Sequence, residues 1–289
     1  MRRRIAGSVR RALGGTDDAP PAITTASSDD PGLFGPDSAA WTVHADLAML
    51  IGGIRALLLQ TLHPLAMAGV AEHSDYRHDA LGRLQRTGAF LARTVYGSTA
   101  EAHAAVAQVT RIHERVQGTA PDGRAYSARD PHLLAWVHVT EVQSFLVANQ
   151  RYGRTRLSDR DADRYVAEIA QVGLLLGMTS APMSVAELDA TLESYRPELS
   201  VGRHARETRR FLMRPPLPLT ALGPYGLLFG AAVGLLPRWA RRMLWLPVAP
   251  GAGPLVVRPA ASVLLRTLGW ALGDPVTRAA AKERLATAR

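Results

Sequence analysis

The sequence predicts an all-α protein, and three observations carry that expectation. Apolar residues recur at three- and four-residue spacing through most of the chain. Helix-capping residues stand at the starts of several of those stretches, and strand-like alternation is almost absent. A hydrophobic content of 47% with 20% charged residues gives a 289-residue chain enough apolar surface for a substantial core. The expected organisation is a basic N-terminal segment and disordered linker over 1–38 and a helical domain over 39–214. An apolar region interrupted by Pro and Gly, over 215–289, then packs on the core or on a membrane.

The N-terminal "MRRRIAGSVRRALGG" is basic but has no apolar stretch behind it, so no export signal is expected. "TDDAPPAITTASSDDPG" reads as disordered. "AAWTVHADLAMLIGGIRALLLQTLHP" reads as one long apolar helix broken near Pro64, with Gly52 and Gly53 marking close packing. "AEHSDYRHDA" is a polar connector, and "LGRLQRTGAFLARTVYG" is a helix ending at Gly97. Ser98 and Glu101 form a capping box for a helix that should stop at Gly118. "TAPDGRAYSARD" is a connector, with Asp130 as cap and Pro131 as the first residue of the next helix.

Ser158 with Asp161, and Ser184 with Glu187, start two more helices, the second ending at Arg196-Pro197. "GRHARETRRFLMR" is a basic helix, and "LTALGPYGLLFGAAVGLLP" is a nearly uncharged one. The arginines and tryptophans that follow it, through Trp245, resemble a membrane-interface pattern. A buried hairpin closing the core and a peripheral membrane contact over 219–247 are both compatible with this stretch.

The chain has no cysteine, which excludes disulfides, thiol nucleophiles, zinc–thiolate sites and iron–sulfur clusters. Metal chemistry must therefore rest on His, Asp, Glu, Tyr or Met. A net charge of +9 raises anionic partners, yet the arginines are dispersed and no nucleic-acid motif occurs, so no nucleic-acid partner is expected. A serine hydrolase is disfavoured because no G-x-S-x-G elbow is present. The expected location is cytoplasmic, with or without membrane association; the oligomeric state is open.

Two histidines on neighbouring helices draw the chemistry. Val106, Val109, His113 and Val116 share a helical stripe, as do Leu134, His138, Glu141 or Val142, and Phe145. Each histidine is either a metal-competent group or a core residue satisfied by a carbonyl or carboxylate. On the preceding helix Arg83, Thr87, Phe90 and Thr94 share a face. A buried arginine there needs an anion, either Glu72, Asp75, Asp79 or a cofactor carboxylate.

The blocks "LLLQTLHPLAMAGVAEHSDYRHDALGRLQRT" and "VYGSTAEAHAAVAQVTRIHERVQGTAPDGRAYSARDPHLLAWVHVTEVQSF" resemble the DUF2236 family, the group named for the mycophenolic-acid oxygenase and the latex-clearing rubber oxygenases. The resemblance spans roughly residues 40 to 215. It implies a globin-like helical core holding haem b and an oxygenase acting with O2 on an apolar, isoprenoid- or lipid-like substrate. It puts the family's Arg-x-x-x-Thr motif on Arg83 and Thr87 and the proximal iron ligand on His113, with His138 as a pocket residue or the alternative ligand.

Arg86 stands where relatives carry a distal lysine, so it is expected near the cofactor as a charge and not as an iron ligand. Glu72 is the candidate base, with Asp75 as its alternative. His63 in "LHP" and Tyr126 in "GRAYSARDP" match family blocks without a fixed role. The competing reading is a non-catalytic helical protein lying on a membrane, its histidines structural.

Overall fold

The computed structural model describes residues 23–24, 29–246 and 253–286. The expected basic segment, residues 1–15, lies outside them, as do 16–22, 25–28, 247–252 and 287–289. Among the described residues the fold is all-α: thirteen α-helices and a single two-stranded hairpin. In order these are α1 Ala39–His44, α2 Met49–Gln60, α3 Pro64–His73, α4 Ala80–Tyr96, α5 Thr99–His113, β1 Gln117–Thr119, β2 Ala125–Ser127, α6 Pro131–Tyr152, α7 Asp159–Leu175 and α8 Val185–Ser194. After a short 3-10 turn, Arg196–Glu198, come α9 Arg203–Met213, α10 Leu219–Leu235, α11 Arg238–Met243, α12 Arg258–Leu272 and α13 Val276–Ala286.

Local chemistry sets most boundaries. The Ser98 hydroxyl accepts the Glu101 N–H while the Glu101 carboxylate accepts the Ser98 N–H, so α5 opens on the reciprocal box. Ser158 and Ser184 accept the Asp161 and Glu187 N–H groups in the same way, and Asp130 caps α6 ahead of Pro131. The long apolar helix expected before Pro64 is two helices instead. Asp46 interrupts it, because its carboxylate accepts the Ala48 N–H at 2.8 Å and the Arg154 N–H at 2.7 Å, competing with helix propagation. The break at Pro64 is present, and α2 and α3 diverge by 106° across it.

A second difference lies after His113. There α5 ends, and the stretch expected to run helical to Gly118 enters the hairpin, with Gly118 opposite Tyr126. The turn "APDG" carries the cause. Gly123 sits at φ +86°, its N–H bonds to the Ala120 carbonyl, and Ala120 and Arg124 close the ladder.

Helix α6 is the axis of the core. It lies along α2, where a Cβ added at Gly52 would stand 2.7 Å from Phe145 Cδ1 and 3.0 Å from the Ser144 carbonyl oxygen. Gly53 points into open space, so only the first glycine of the pair enforces close packing. Helix α10 covers the other side of α2 with Leu228, Ala231 and Ala232. Helices α1, α7 and α8 complete the layer around Trp41, Trp136 and Tyr165, all fully buried. Residues 29–38, within the stretch expected as linker, are packed: Phe34 is buried, and Asp30 accepts from the Thr99 N–H and hydroxyl.

The apolar stretch left in the open is α12 with the turn before it. Leu255–Leu272 is long and apolar enough to cross a membrane, but only 22% of it is buried. The stretch singled out in the sequence, α10, is shorter and partly inside the core, while Trp245 behind it is exposed.

Candidate functional site

Helix α4 starts at Asp79, whose carboxylate accepts the Gly82 N–H. Arg83, one turn in, is half-buried and turns back to donate from Nη1 to Ser74 Oγ at 3.1 Å. Among the described residues it forms no ion pair. Burial pulls its pKa below the ordinary arginine value, the Tyr76 ring pushing the other way and Arg86 adding to the depression. Thr87, one turn further on, is exposed. Arg86 is exposed too and is held by Asp79 at 2.9 Å, so its charge is already matched at the start of its own helix.

His113 ends α5, half-buried beside half-buried Val109 and Val116. Burial lowers its pKa, so the ring is neutral and metal-competent at pH 7. Helices α4 and α5 pack on each other across the tight Gly97-Ser98 step, which brings Arg83 and His113 onto adjoining helices. Among the described residues no hydrogen bond joins His113 to Arg83 or Thr87. Leu84 and Ile112, the sequence neighbours of Arg83 and His113, are each 51% exposed, so two apolar side chains stand on the outer side of this helix pair among exposed polar ones such as Gln85 and Arg111.

Glu72, near the end of α3, is exposed and accepts the Tyr126 hydroxyl at 2.5 Å; His73 Nε2 lies 3.1 Å from the same hydroxyl. Burial, with the bond to Glu72 and its charge, pushes Tyr126 up to about 12. The hairpin after α5 supplies Tyr126, and Gly118 lets it approach: a Cβ there would stand 2.6 Å from the Tyr126 oxygen and 3.2 Å from Glu72 Oε2. Glu72, Ser74 and Asp75 line a cleft of about 320 Å³, so Ser74 connects this cleft to the Arg83 guanidinium.

His138 does not share that cleft. It lies along α6 facing α7, its Nδ1 2.9 Å from the place a Cβ on Gly173 would occupy, and its buried Nε2 has no hydrogen-bond partner among the described residues. Burial holds its pKa down to about 4. One turn on, Glu141 is pushed up to about 7 by burial. Tyr165 and His44 close the far side, Tyr165 Oη 3.4 Å from His44 Nε2, with His44 lowered by burial to about 3. These groups are neutral at pH 7 or, for Glu141, poised at it.

A further cluster was only partly legible. His63 caps α3, accepting the Ala66 N–H at Nδ1 over 3.5 Å, so "LHP" is a cap. His63 is also 1% exposed, and its Nε2 lies 3.5 Å from Glu198 Oε2. His132 Nε2 stands 2.9 and 3.0 Å from the two Glu198 oxygens. These three side chains come from the α2–α3 corner, the first turn of α6 and the 3-10 turn, and their ligand atoms lie within 4.8 Å of one another. His132 and Glu198 carried no periodicity or motif that separated them from surface residues. Only "DPH", putting His132 beside a cap and a first-turn proline, hinted that its position was fixed.

A cleft of about 760 Å³ lies elsewhere, between the end of α6 and α12, and is lined by Arg151, Arg154, Arg266 and Trp270 among others.

Comparison with curated proteins and with solved structures finds no match for this chain. A family profile does match, over residues 41–280, which runs from within α1 into the first part of α13 and includes all of the clusters above. The chain belongs to the family described as ER-bound oxygenase mpaB/B′/rubber oxygenase, catalytic domain, and is thus an oxygenase-family catalytic domain of predominantly α-helical fold.

Proposed function

We propose that this protein is a haem-b-dependent oxygenase that acts with O2 on an apolar, isoprenoid- or lipid-like substrate, with His113 as the protein ligand to iron. The observation that carries the reading is the pairing, on adjoining helices, of a neutral half-buried His113 with an Arg83 guanidinium that meets no carboxylate among the described residues. An arginine withdrawn from water calls for an anion, and a haem propionate is one. When bound, haem iron supplies the binding and reductive activation of O2, which no side chain here can provide.

The chain's own residues would do the rest. His113 offers one neutral ring nitrogen. Arg83 holds a carboxylate of the cofactor or places positive charge where negative charge develops on oxygen. Thr87 contributes a hydroxyl on the same helical face, two residues beyond Gln85 and one turn after Arg83. Glu72 is the base: Tyr126 occupies its Oε2, leaving Oε1 to take a proton from substrate. The exposed Leu84 and Ile112 would meet the apolar part of the substrate. Arg86, tied to Asp79, is the weakest member of the set, and His138 is separated from it on the α7 side of α6.

An absorption spectrum of the full-length protein, before and after dithionite, tests this directly. The expected result is a Soret band that shifts on reduction and is lost in His113→Ala, while His138→Ala keeps its haem content. Arg83→Ala is expected to retain the iron bond but release haem more readily. A colourless protein after haem-supplemented expression would sink the proposal. Haem lost in His138→Ala and kept in His113→Ala would move the ligand to α6.

A further inference from the structure

Away from the α4–α5 helices, we propose that His63, His132 and Glu198 form a binding site for a first-row divalent metal ion of the zinc class, pinning three separate elements of the fold. The donor set is two imidazole nitrogens and one carboxylate, the combination such ions take. Ligands around a tetrahedral zinc ion, with bonds of about 2.0–2.2 Å, stand about 3.4 Å apart. The pairs found here, 2.9 and 3.0 Å for His132 with Glu198 and 3.5 Å for His63 with Glu198, bracket that spacing. The third pair, His63 with His132, has its ligand atoms within 4.8 Å, so closing the set around an ion requires side-chain movement there.

A second observation points to a ligand. His63 is 1% exposed, and among the described residues its Nε2 makes no well-formed hydrogen bond; what it faces is Glu198 Oε2 at 3.5 Å. A buried polar atom left unmatched is costly, so an unsatisfied nitrogen beside a carboxylate calls for a shared ligand. The opposing feature is the Ala66 N–H on Nδ1, which favours the proton on Nε2. At 3.5 Å that cap is at the long limit of a hydrogen bond, and giving it up costs little against a metal–nitrogen bond.

The surroundings are built to hold the other ligands. Tyr195 donates to the His132 carbonyl at 2.8 Å, and its oxygen lies 3.4 Å from His132 Nδ1, where it can accept that ring N–H and leave the Nε2 lone pair toward Glu198. The Ser200 N–H bonds to the Leu62 carbonyl at 2.8 Å, fixing the chain beside Glu198 against the residue before His63. His132 is 51% and Glu198 39% exposed, which gives an ion an entry path and leaves a fourth position to water.

The test uses the full-length protein, treated with chelator and dialysed, then titrated with Zn²⁺ by calorimetry and separately with Co²⁺ followed by visible absorption. His132→Ala and Glu198→Gln are the variants, because both positions are exposed enough to spare the fold. The expected results are one Zn²⁺ per chain, a Zn²⁺-dependent rise in Tm, and intense tetrahedral-type Co²⁺ bands. Both variants should bind at least about 10-fold more weakly, since losing a ligand costs no less than the roughly 10–100-fold loss seen when only an outer-shell partner of a ligand is removed. Absence of binding, or equal affinity in the wild type and both variants, overturns the site. So does loss of the Soret band in His132→Ala, which would assign the cluster to the haem. Zn²⁺ binding by a protein without haem leaves this site standing and sinks the haem reading alone.

Discussion

The two flanks of α6 face opposite problems. Toward α2 the helix is closed. Gly52 lets the backbones meet, and Arg55, 1% exposed, donates from Nη1 to Ser144 Oγ at 2.6 Å and from Nε to the Leu235 carbonyl at 3.0 Å. Toward α7 the helix carries His138, with an unpartnered buried Nε2, and Glu141, whose carboxyl is pushed to about 7. The same length of helix thus has one seam where polar groups are matched within the chain and one where they are left to something else. Matched buried polar groups register a fold; unmatched ones mark a place where solvent, proton or ligand completes it.

Breaking the closed flank should give the largest effect. Arg55→Ala removes the stem that fills the space between α2, α6 and α10 and strands the Ser144 hydroxyl and the Leu235 carbonyl. The expected loss is about 2–4 kcal/mol in urea unfolding. A loss under about 1 kcal/mol would mean that this seam is not what holds α10 down. Gly52→Ala comes next. Its Cβ would stand 2.7 Å from the Phe145 ring and 3.0 Å from a carbonyl that cannot rotate away, so about 1–3 kcal/mol should be lost as α2 is pushed from α6. An unchanged Tm in this variant would show that the two helices can slide apart freely.

The closed flank was largely legible in the sequence, and the open one was not, for physical reasons. Close packing, caps and a helix-breaking proline are local: Gly52, the Ser98–Glu101 box, Asp130 and Pro64 announce themselves through neighbours a few residues away. The Asp46 break was missed because one of its two bonds goes to Arg154, more than a hundred residues on. The hairpin was missed although "PDG" is a turn signal, because strands of three residues are too short to show alternation. His132 and Glu198 were invisible for the same reason as Asp46, since their meaning lies in three elements converging. Helical spacing drew attention to His113, Arg83 and Thr87, and charge to Glu72, but their roles came only through resemblance. The structure adds the Ser74 and Tyr126 contacts that tie Arg83 and Glu72 to one cleft.

Titration should sharpen the contrast on the open flank. The Glu141 pKa is raised in the folded state, so its contribution to stability is full below the ordinary carboxylate value and is lost as pH rises through about 7. His138 is the reverse: depressed to about 4, it contributes above its ordinary value near 6.5 and loses that contribution as pH falls through about 4. Glu141→Gln deletes the first dependence and keeps the second. Its Tm relative to wild type should therefore climb between pH 5 and pH 8. Parallel Tm curves would show that Glu141 is solvated and that the flank is not open in the sense argued above.

The smallest effect should come from the neighbour of the tightest contact. Gly53 sits in the middle of α2, one residue from Gly52, but a Cβ there meets nothing within 4 Å. Its backbone is already helical, so alanine adds no strain; it removes conformational freedom from the unfolded chain and raises helix propensity. Gly53→Ala should stabilise the protein by about 0.4–1 kcal/mol. Placed beside Gly52→Ala, the pair changes the same atom count one residue apart and should give opposite signs. Equal destabilisation by both would mean that α2 packs more tightly all round than its open face indicates. Equal stabilisation would mean that Phe145 rotates away at no cost, and that the seam between α2 and α6 is softer than the 2.7 Å approach implies.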